Sequence, residues 1–225
     1  MIEMAVIGCG EWGPNHIRNF QSQPGARVRV AVDLDAKRLQ RIRELFPAVE
    51  CSSEADKVLA DPAIQAVVVA TPVQTHFNLV KKALLAGKHV LCEKPLCETV
   101  AQGRELTDLA QARRRVLMVG HVFLFNPGII KVKEILDSGA MGNLHYMHAI
   151  RTNLGPIRRD CNAAFDLATH DISIFNWLAG SDPLEVSATG GCFLQPGIED
   201  VVSLSLKYPG DIFGTIQASW LNPKK

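Results

Sequence analysis

The sequence predicts an α/β fold in two parts. Residues 1–121 form a doubly wound parallel sheet, and residues 122–225 form an α+β domain with a mostly antiparallel, open sheet. Three observations carry this. Short β-branched runs alternate with helical patterns through the first 120 residues, and a glycine-rich turn stands directly after the first run. Past residue 120 the alternation gives way to strand-like stretches with little helix between them. Alternation implies βαβ units with right-handed crossovers, whereas successive strands imply antiparallel pairing.

Taken in order, Met4-Ala5-Val6-Ile7 is an apolar run ending at the glycine turn, and a helical pattern follows with Trp12, Ile17 and Phe20 on one side. Val28-Arg29-Val30-Ala31-Val32 is the next strand. Asp35 caps the helix behind it, where Leu39, Ile42 and Leu45 recur at helical spacing until Pro47. Val67-Val68-Val69-Ala70 is continuous and β-branched, as a strand covered on both faces requires. A helix from about Thr75 closes at Gly87, and His89-Val90-Leu91-Cys92 is a further strand. Thr99-Val100-Ala101-Gln102 opens a helix with a capping-box pattern. That helix ends in Arg113-Arg114-Arg115, a solvated end whose charge suits the dipole. Val116-Leu117-Met118-Val119 closes the first set. Beyond it come a helix over 127–136, a strand over 144–152 and a polar loop over 153–162. A helix through Ile172 and Trp177 follows, then strands near 184–194, 200–207 and 212–220.

The 24 Lys+Arg against 23 Asp+Glu leave a net charge of +1, which removes the electrostatic case for nucleic acid or an acidic membrane surface. No apolar run approaches the roughly 18–20 residues of a membrane span, and MIEMAVIG carries no basic leader region, so a cytoplasmic protein is expected. Cysteines 9, 51, 92, 97, 161 and 192 form no CxxC pair and read as reduced thiols. His145 and His148 are three apart in a strand, hence on opposite faces, and no metal site is expected.

Gly8-Cys9-Gly10-Glu11-Trp12-Gly13 fits GxGxxG, and it follows a strand, opens a helix and precedes an acidic residue, Asp33, by twenty positions. Gly8 permits the turn, Gly10 lets backbone approach a pyrophosphate, and Gly13 lets helix and sheet pack. Free N–H groups at Glu11, Trp12 and Gly13 would bind the phosphates. Asp33 would accept the ribose hydroxyls and repel a 2′-phosphate, which favours NAD over NADP, although Arg38 and Arg41 stand nearby.

Two further motifs end strands: Ala70-Thr71-Pro72-Val73-Gln74-Thr75-His76 and Glu93-Lys94-Pro95. With the glycine turn and Asp33, then Phe125-Asn126-Pro127, the glycines at 139 and 142, and Asp166-Leu167-Ala168-Thr169-His170-Asp171, the chain resembles the Gfo/Idh/MocA family of NAD(P)-dependent sugar and cyclitol oxidoreductases. The resemblance implies a Rossmann domain followed by an α+β domain whose open sheet pairs subunits into a homodimer or homotetramer. It places Thr71, Pro72 and His76 by the nicotinamide, and Glu93 and Lys94 where nicotinamide meets substrate. It makes Lys94, Asp166 and His170 the catalytic set. The chain departs from the family's D-x-G-x-H-x-x-D run at Ala168 and in the position of Asp171, whose role stays open.

Chemistry agrees with that set. Asp166 and His170 are four apart on a helix and share a face. An imidazole suits removal of a hydroxyl proton, a partly desolvated Lys94 could steady the developing alkoxide or relay its proton, and Asp166 would orient His170 or hold a neighbouring sugar hydroxyl. The preceding polar loop, with Arg151, Asn153, Arg158, Arg159 and Asn162, looks like that of family members oxidising C3 of a UDP-N-acetylhexosamine or its uronic acid. The expected substrate set is therefore Lys94, Asn153, Arg158, Arg159, Asn162, Asp166 and His170, with a free-sugar or inositol dehydrogenase as the alternative and an NAD- or sugar-sensing regulator as the second. Relatives of the family run longer, so the second domain is expected to be incomplete, with an open sheet edge and an apolar face needing cover.

Overall fold

The computed structural model describes residues 1–154 and 157–223. Gly155 and Pro156 of the polar loop and the terminal Lys224 and Lys225 lie outside the described residues. The chain divides into two compact units, Met1–Gly120 and His121–Lys225.

In the first unit, β1 (Ile2–Ile7), α1 (Gly13–Gln21), β2 (Ala26–Val32), α2 (Ala36–Leu45), β3 (Glu50–Ser52), α3 (Ala55–Ala60), β4 (Ala66–Val69), α4 (Val73–Leu85), β5 (His89–Cys92), α5 (Val100–Arg113) and β6 (Leu117–Val119) alternate. Their sheet has the order β3-β2-β1-β4-β5-β6, with every pair parallel. The order reverses between β1 and β4, the crevice where such sheets bind ligands. Two cores cover the two faces. Ala5, Ile7, Val67 and Val69 pack with Val80, Leu84 and Leu106, while Met4, Val6 and Val68 pack with Ile17, Leu39 and Ile42. Alternate residues of one strand thus feed opposite cores, which is why β4 reads as an unbroken valine run.

Asp35 does cap α2, accepting from the Lys37 N–H at 2.8 Å, and Thr99 caps α5, accepting from Gln102 N–H at 3.2 Å. Gly87 has φ +74°, the left-handed stop expected after α4. Of the residues at helical spacing, Ile17, Leu39 and Ile42 are buried, while Trp12 and Leu45 are 49% and 52% exposed. Trp12 precedes the first residue of α1 and Leu45 is the last residue of α2, so neither has a neighbouring turn to pack beneath. β3 and α3 went unread because three and six residues are too few to show a period.

Burial raises the Cys9 thiol to about 12, helped by the Asp33 carboxylate, and burial likewise pushes Cys92 up. These thiols stay protonated in the fold. In the unfolded chain they ionise above about pH 8.5. A raised folded pKa contributes stability below the unfolded value and loses it as pH rises towards the folded one. The melting temperature is therefore expected to fall as pH rises from about 8.5 towards the folded Cys9 value of about 12, and a flat profile there would contradict this.

The second unit holds α6 (Pro127–Asp137), β7 (Tyr146–Thr152), α7 (Thr169–Ala179), β8 (Glu185–Gly191), β9 (Val201–Lys207) and β10 (Phe213–Ser219). The sheet runs β7-β10-β9-β8, antiparallel except for the parallel β7/β10 pair. Val202, Leu204, Leu206, Ile216 and Phe175 of α7 form its core. β7 and β8 stand at the edges, and Tyr146, Ile150 and Phe213 are exposed. Among the described residues, no helix is long and apolar enough to cross a membrane.

Candidate active site

The glycine turn is shaped by what a side chain would strike. Gly8 has φ +99°, and a β-carbon there would overlap the Ala70 carbonyl; one on Gly13 would overlap the Gly8 carbonyl. A β-carbon at Gly10 would meet only the Arg38 guanidinium, at 3.9 Å, so its backbone lies open to a ligand. The turn is pinned by Gly8 N–H donating to the Val32 carbonyl and Cys9 N–H donating to Asp33 Oδ2, both at 2.7 Å. α1 opens on Gly13 without a side-chain cap, the exposed Glu11 and Trp12 standing just before it. Uncapped N–H groups behind a tight glycine turn suit a dinucleotide pyrophosphate.

Asp33, expected at the ribose, also builds the fold: its other oxygen accepts from Asp35 N–H at 2.8 Å. Arg38 Nη1 stands 3.5 Å from its carboxylate. A carboxylate has about four acceptor positions, so two backbone bonds leave room for ribose hydroxyls.

The Thr71–Pro72 turn follows β4, and Thr75 Oγ1 lies 2.7 Å from both Thr71 Oγ1 and the Pro72 carbonyl. His76 is expected near the nicotinamide. It is 1% exposed, with Nδ1 2.8 Å from the Pro95 carbonyl and Nε2 2.8 Å from the Thr71 carbonyl. Both ring nitrogens serve the fold, so His76 braces the two motif turns against each other. Glu93 is likewise engaged: its Oε1 is 2.7 Å from Nε2 of His16 on α1. Lys94 is half-buried in the bend after β5, and its bond to Pro95 is cis.

In the second unit, Asp166 lies on a π-helical turn, Ala164–Ala168, that runs directly into α7, which carries His170. Asp166 accepts from Arg158 Nη1 at 3.2 Å and from Trp220 Nε1 at 3.1 Å. His170 packs edge-on against Phe123, with ring centroids 4.7 Å apart. The Arg151 guanidinium lies over the same Phe123 ring at 4.6 Å. Phe123, Trp220 and Glu199 went unread from sequence, because each meets the site through tertiary contact and no motif marks it.

Asp171 now has a structural role. Its carboxylate takes both Arg151 Nε (2.6 Å) and Nη2 (2.8 Å), and its side chain is 8% exposed. Removing one partner of a buried pair costs about 3–5 kcal/mol, less where the other partner reaches solvent as Arg151 does. Asp171→Ala is expected to cost about 2–3 kcal/mol, visible as a lower urea midpoint; an unchanged midpoint would refute the structural role.

Two of the three arginines of the polar stretch, Arg151 and Arg158, are paired with carboxylates. Arg158 grips Asp160 through Nε (2.9 Å) and Nη2 (2.5 Å) as well as Asp166. The Asp160 hydrogen bond raises the Arg158 pKa further, and the same bond lowers that of Asp160. Asn162 donates to Glu199 at 2.8 Å and accepts from the Phe165 N–H at 3.1 Å. Asn153 uses its N–H on the Ser219 carbonyl, while Arg159 is exposed. Arg151 and Arg158 are thus matched by acids of the same unit.

Comparison with known proteins agrees with this architecture. Residues 2–121 match the oxidoreductase family with an NAD-binding Rossmann fold, and residues 129–225 match the GFO/IDH/MocA C-terminal domain. The chain is 35% identical over 181 residues to inositol 2-dehydrogenase of Gluconacetobacter diazotrophicus, covering 78% of this chain and 53% of that protein. It is 32% identical over 192 residues to inositol 2-dehydrogenase 2 of Saccharopolyspora erythraea, covering 83% and 56%. Among solved structures, GenD2 from gentamicin A biosynthesis, in complex with NAD, superposes with a TM-score of 0.93 at 26% identity over 100% of this chain and 67% of that one. This chain thus spans little more than half the length of those two curated relatives. The glycine turn, the reversal of strand order beside it and both family matches lead to one conclusion: the chain belongs to the Gfo/Idh/MocA family, and its first unit is an NAD-binding Rossmann domain.

Proposed function

We propose that the whole protein is an NAD-dependent dehydrogenase oxidising a secondary hydroxyl of an inositol or a free sugar. The observation that carries this is the likeness to inositol 2-dehydrogenases at 32% and 35% identity. Bound NAD supplies the hydride acceptor. In this reading Gly8, Gly10 and Gly13 cradle its pyrophosphate, Asp33 takes ribose hydroxyls, and the Thr71–Pro72 turn borders the nicotinamide. Lys94 steadies the oxygen that loses its proton, and His170 receives that proton. Asp166, held by Arg158 and Trp220, fixes the start of the helix that carries His170.

Charge weighs against the UDP-sugar reading drawn from the loop composition. A diphosphate is drawn to uncompensated positive charge, and Arg151 and Arg158 are each neutralised by carboxylates in two-point contact. Exposed Arg159 keeps a nucleotide sugar as the second reading. The exposed Tyr146, Ile150 and Phe213 face is the surface we assign to a homodimer or homotetramer.

The test is NADH formation across myo-inositol, scyllo-inositol, glucose and UDP-N-acetylglucosamine. Turnover is expected with a cyclitol or free sugar. Turnover with the UDP-sugar alone would overturn the substrate class, and NAD binding without turnover on any polyol would favour the regulator.

A further inference from the structure

Lys94 stands between two residues that are each held by a histidine. Before it, the Glu93 carboxylate meets His16 Nε2 at 2.7 Å, with both side chains largely buried at 12% and 13% exposure. The second Glu93 oxygen packs on Gly120, where an added β-carbon would lie 3.3 Å away. The Glu93 N–H continues the sheet ladder by donating to the Val69 carbonyl at 2.9 Å. After Lys94, the Pro95 carbonyl meets His76 Nδ1. His16 sits in the first turn of α1, three residues past Gly13. One short helix therefore presents its N-terminus at the glycine turn and, within a turn, contacts the residue preceding Lys94.

We propose that His16 is a positioning residue for Lys94, acting through the Glu93 carboxylate and tying the Lys94 bend to the helix that opens on the pyrophosphate turn. This rests on the NAD-dependent reading of the site. A hydrogen bond to an ionised carboxylate is among the stronger kinds, and removing the donor leaves a largely buried carboxylate without it. That carboxylate then gains by turning to water, and the neighbouring bend moves with it. Misplacing a reacting group by about 1 Å can cost about 100-fold in rate, so a small rotation suffices.

The test is residue-by-residue acetylation of the lysines in the full chain, without cofactor, read by mass spectrometry. His16→Ala is expected to change the Lys94 rate by at least about threefold, while Lys131 and Lys207 in the second unit keep theirs. His16→Gln, whose amide can donate to Glu93, is expected to restore the Lys94 rate. With substrate and NAD, His16→Ala is expected to lower kcat by about tenfold and leave the substrate KM within about twofold. An unchanged Lys94 rate in His16→Ala, or a His16→Gln variant as altered as His16→Ala, overturns the proposal. If His16→Ala alters every lysine together, Glu93→Gln replaces it under the same criteria. NAD binding by the wild-type chain is measured separately by calorimetry. Its failure would remove the cofactor reading and leave the cofactor-free lysine comparison valid.

Discussion

His170→Ala is expected to lower kcat by about 10²–10⁴-fold while leaving NAD affinity unchanged. In the proposed reaction the imidazole receives the hydroxyl proton, the role whose loss costs a rate of that order. The glycine turn, Asp33 and the Thr71–Pro72 turn, the residues proposed to hold NAD, belong to the first unit and His170 to the second. His170 packs edge-on against Phe123, so thermal unfolding of the variant is measured beside its turnover to separate a loss of fold from a loss of catalysis. Lys94→Ala is expected to fall in the same range of kcat, because the developing negative oxygen loses its cation. Near-wild-type turnover in both single variants would remove the catalytic assignment.

Gly10→Ala and Gly13→Ala are expected to abolish measurable NAD binding, by about 100-fold or more in affinity, for different reasons. The new β-carbon of Gly13→Ala runs into the Gly8 carbonyl, and that residue cannot retreat freely because its N–H is bonded to Val32 and the next N–H to Asp33. The turn must open, so this variant should lose stability as well as affinity. Gly10→Ala meets nothing closer than the end of the flexible Arg38 side chain at 3.9 Å. It should keep its melting temperature and still lose NAD, because its methyl fills the side on which a pyrophosphate would approach the backbone. Calorimetry beside thermal unfolding separates the two. A Gly10→Ala protein that binds NAD normally would contradict the assigned approach.

The first unit was legible because its signals are local. Strand, glycine turn, helix and Asp33 lie within a single stretch, and the turn chemistry dictates residue types at fixed offsets. The caps at Asp35 and Thr99 were readable for the same reason. The second unit's strands were equally plain, but its site chemistry was not. Arg151, Arg158 and Arg159 looked like a cationic loop because sequence counts charges without showing their partners. Asp171 and Asp166 answer Arg151 and Arg158 across turns and strands, and only the fold reveals this. The contacts of His76 with the Pro95 and Thr71 carbonyls join residues 19 and 5 positions away, and no local pattern shows them. His16 went unremarked in sequence because its partner lies 77 residues away.

The first unit is an NAD-binding Rossmann domain, and the Asp33 carboxylate is proposed to select against a 2′-phosphate. Calorimetric titration of the chain with NAD and NADP in parallel tests it most directly. One NAD per chain is expected, bound more tightly than NADP, with the preference narrowing or reversing in Asp33→Ala as Arg38 loses its counter-charge. Absence of NAD binding at about 1 mM, or a wild-type chain preferring NADP, would contradict the account.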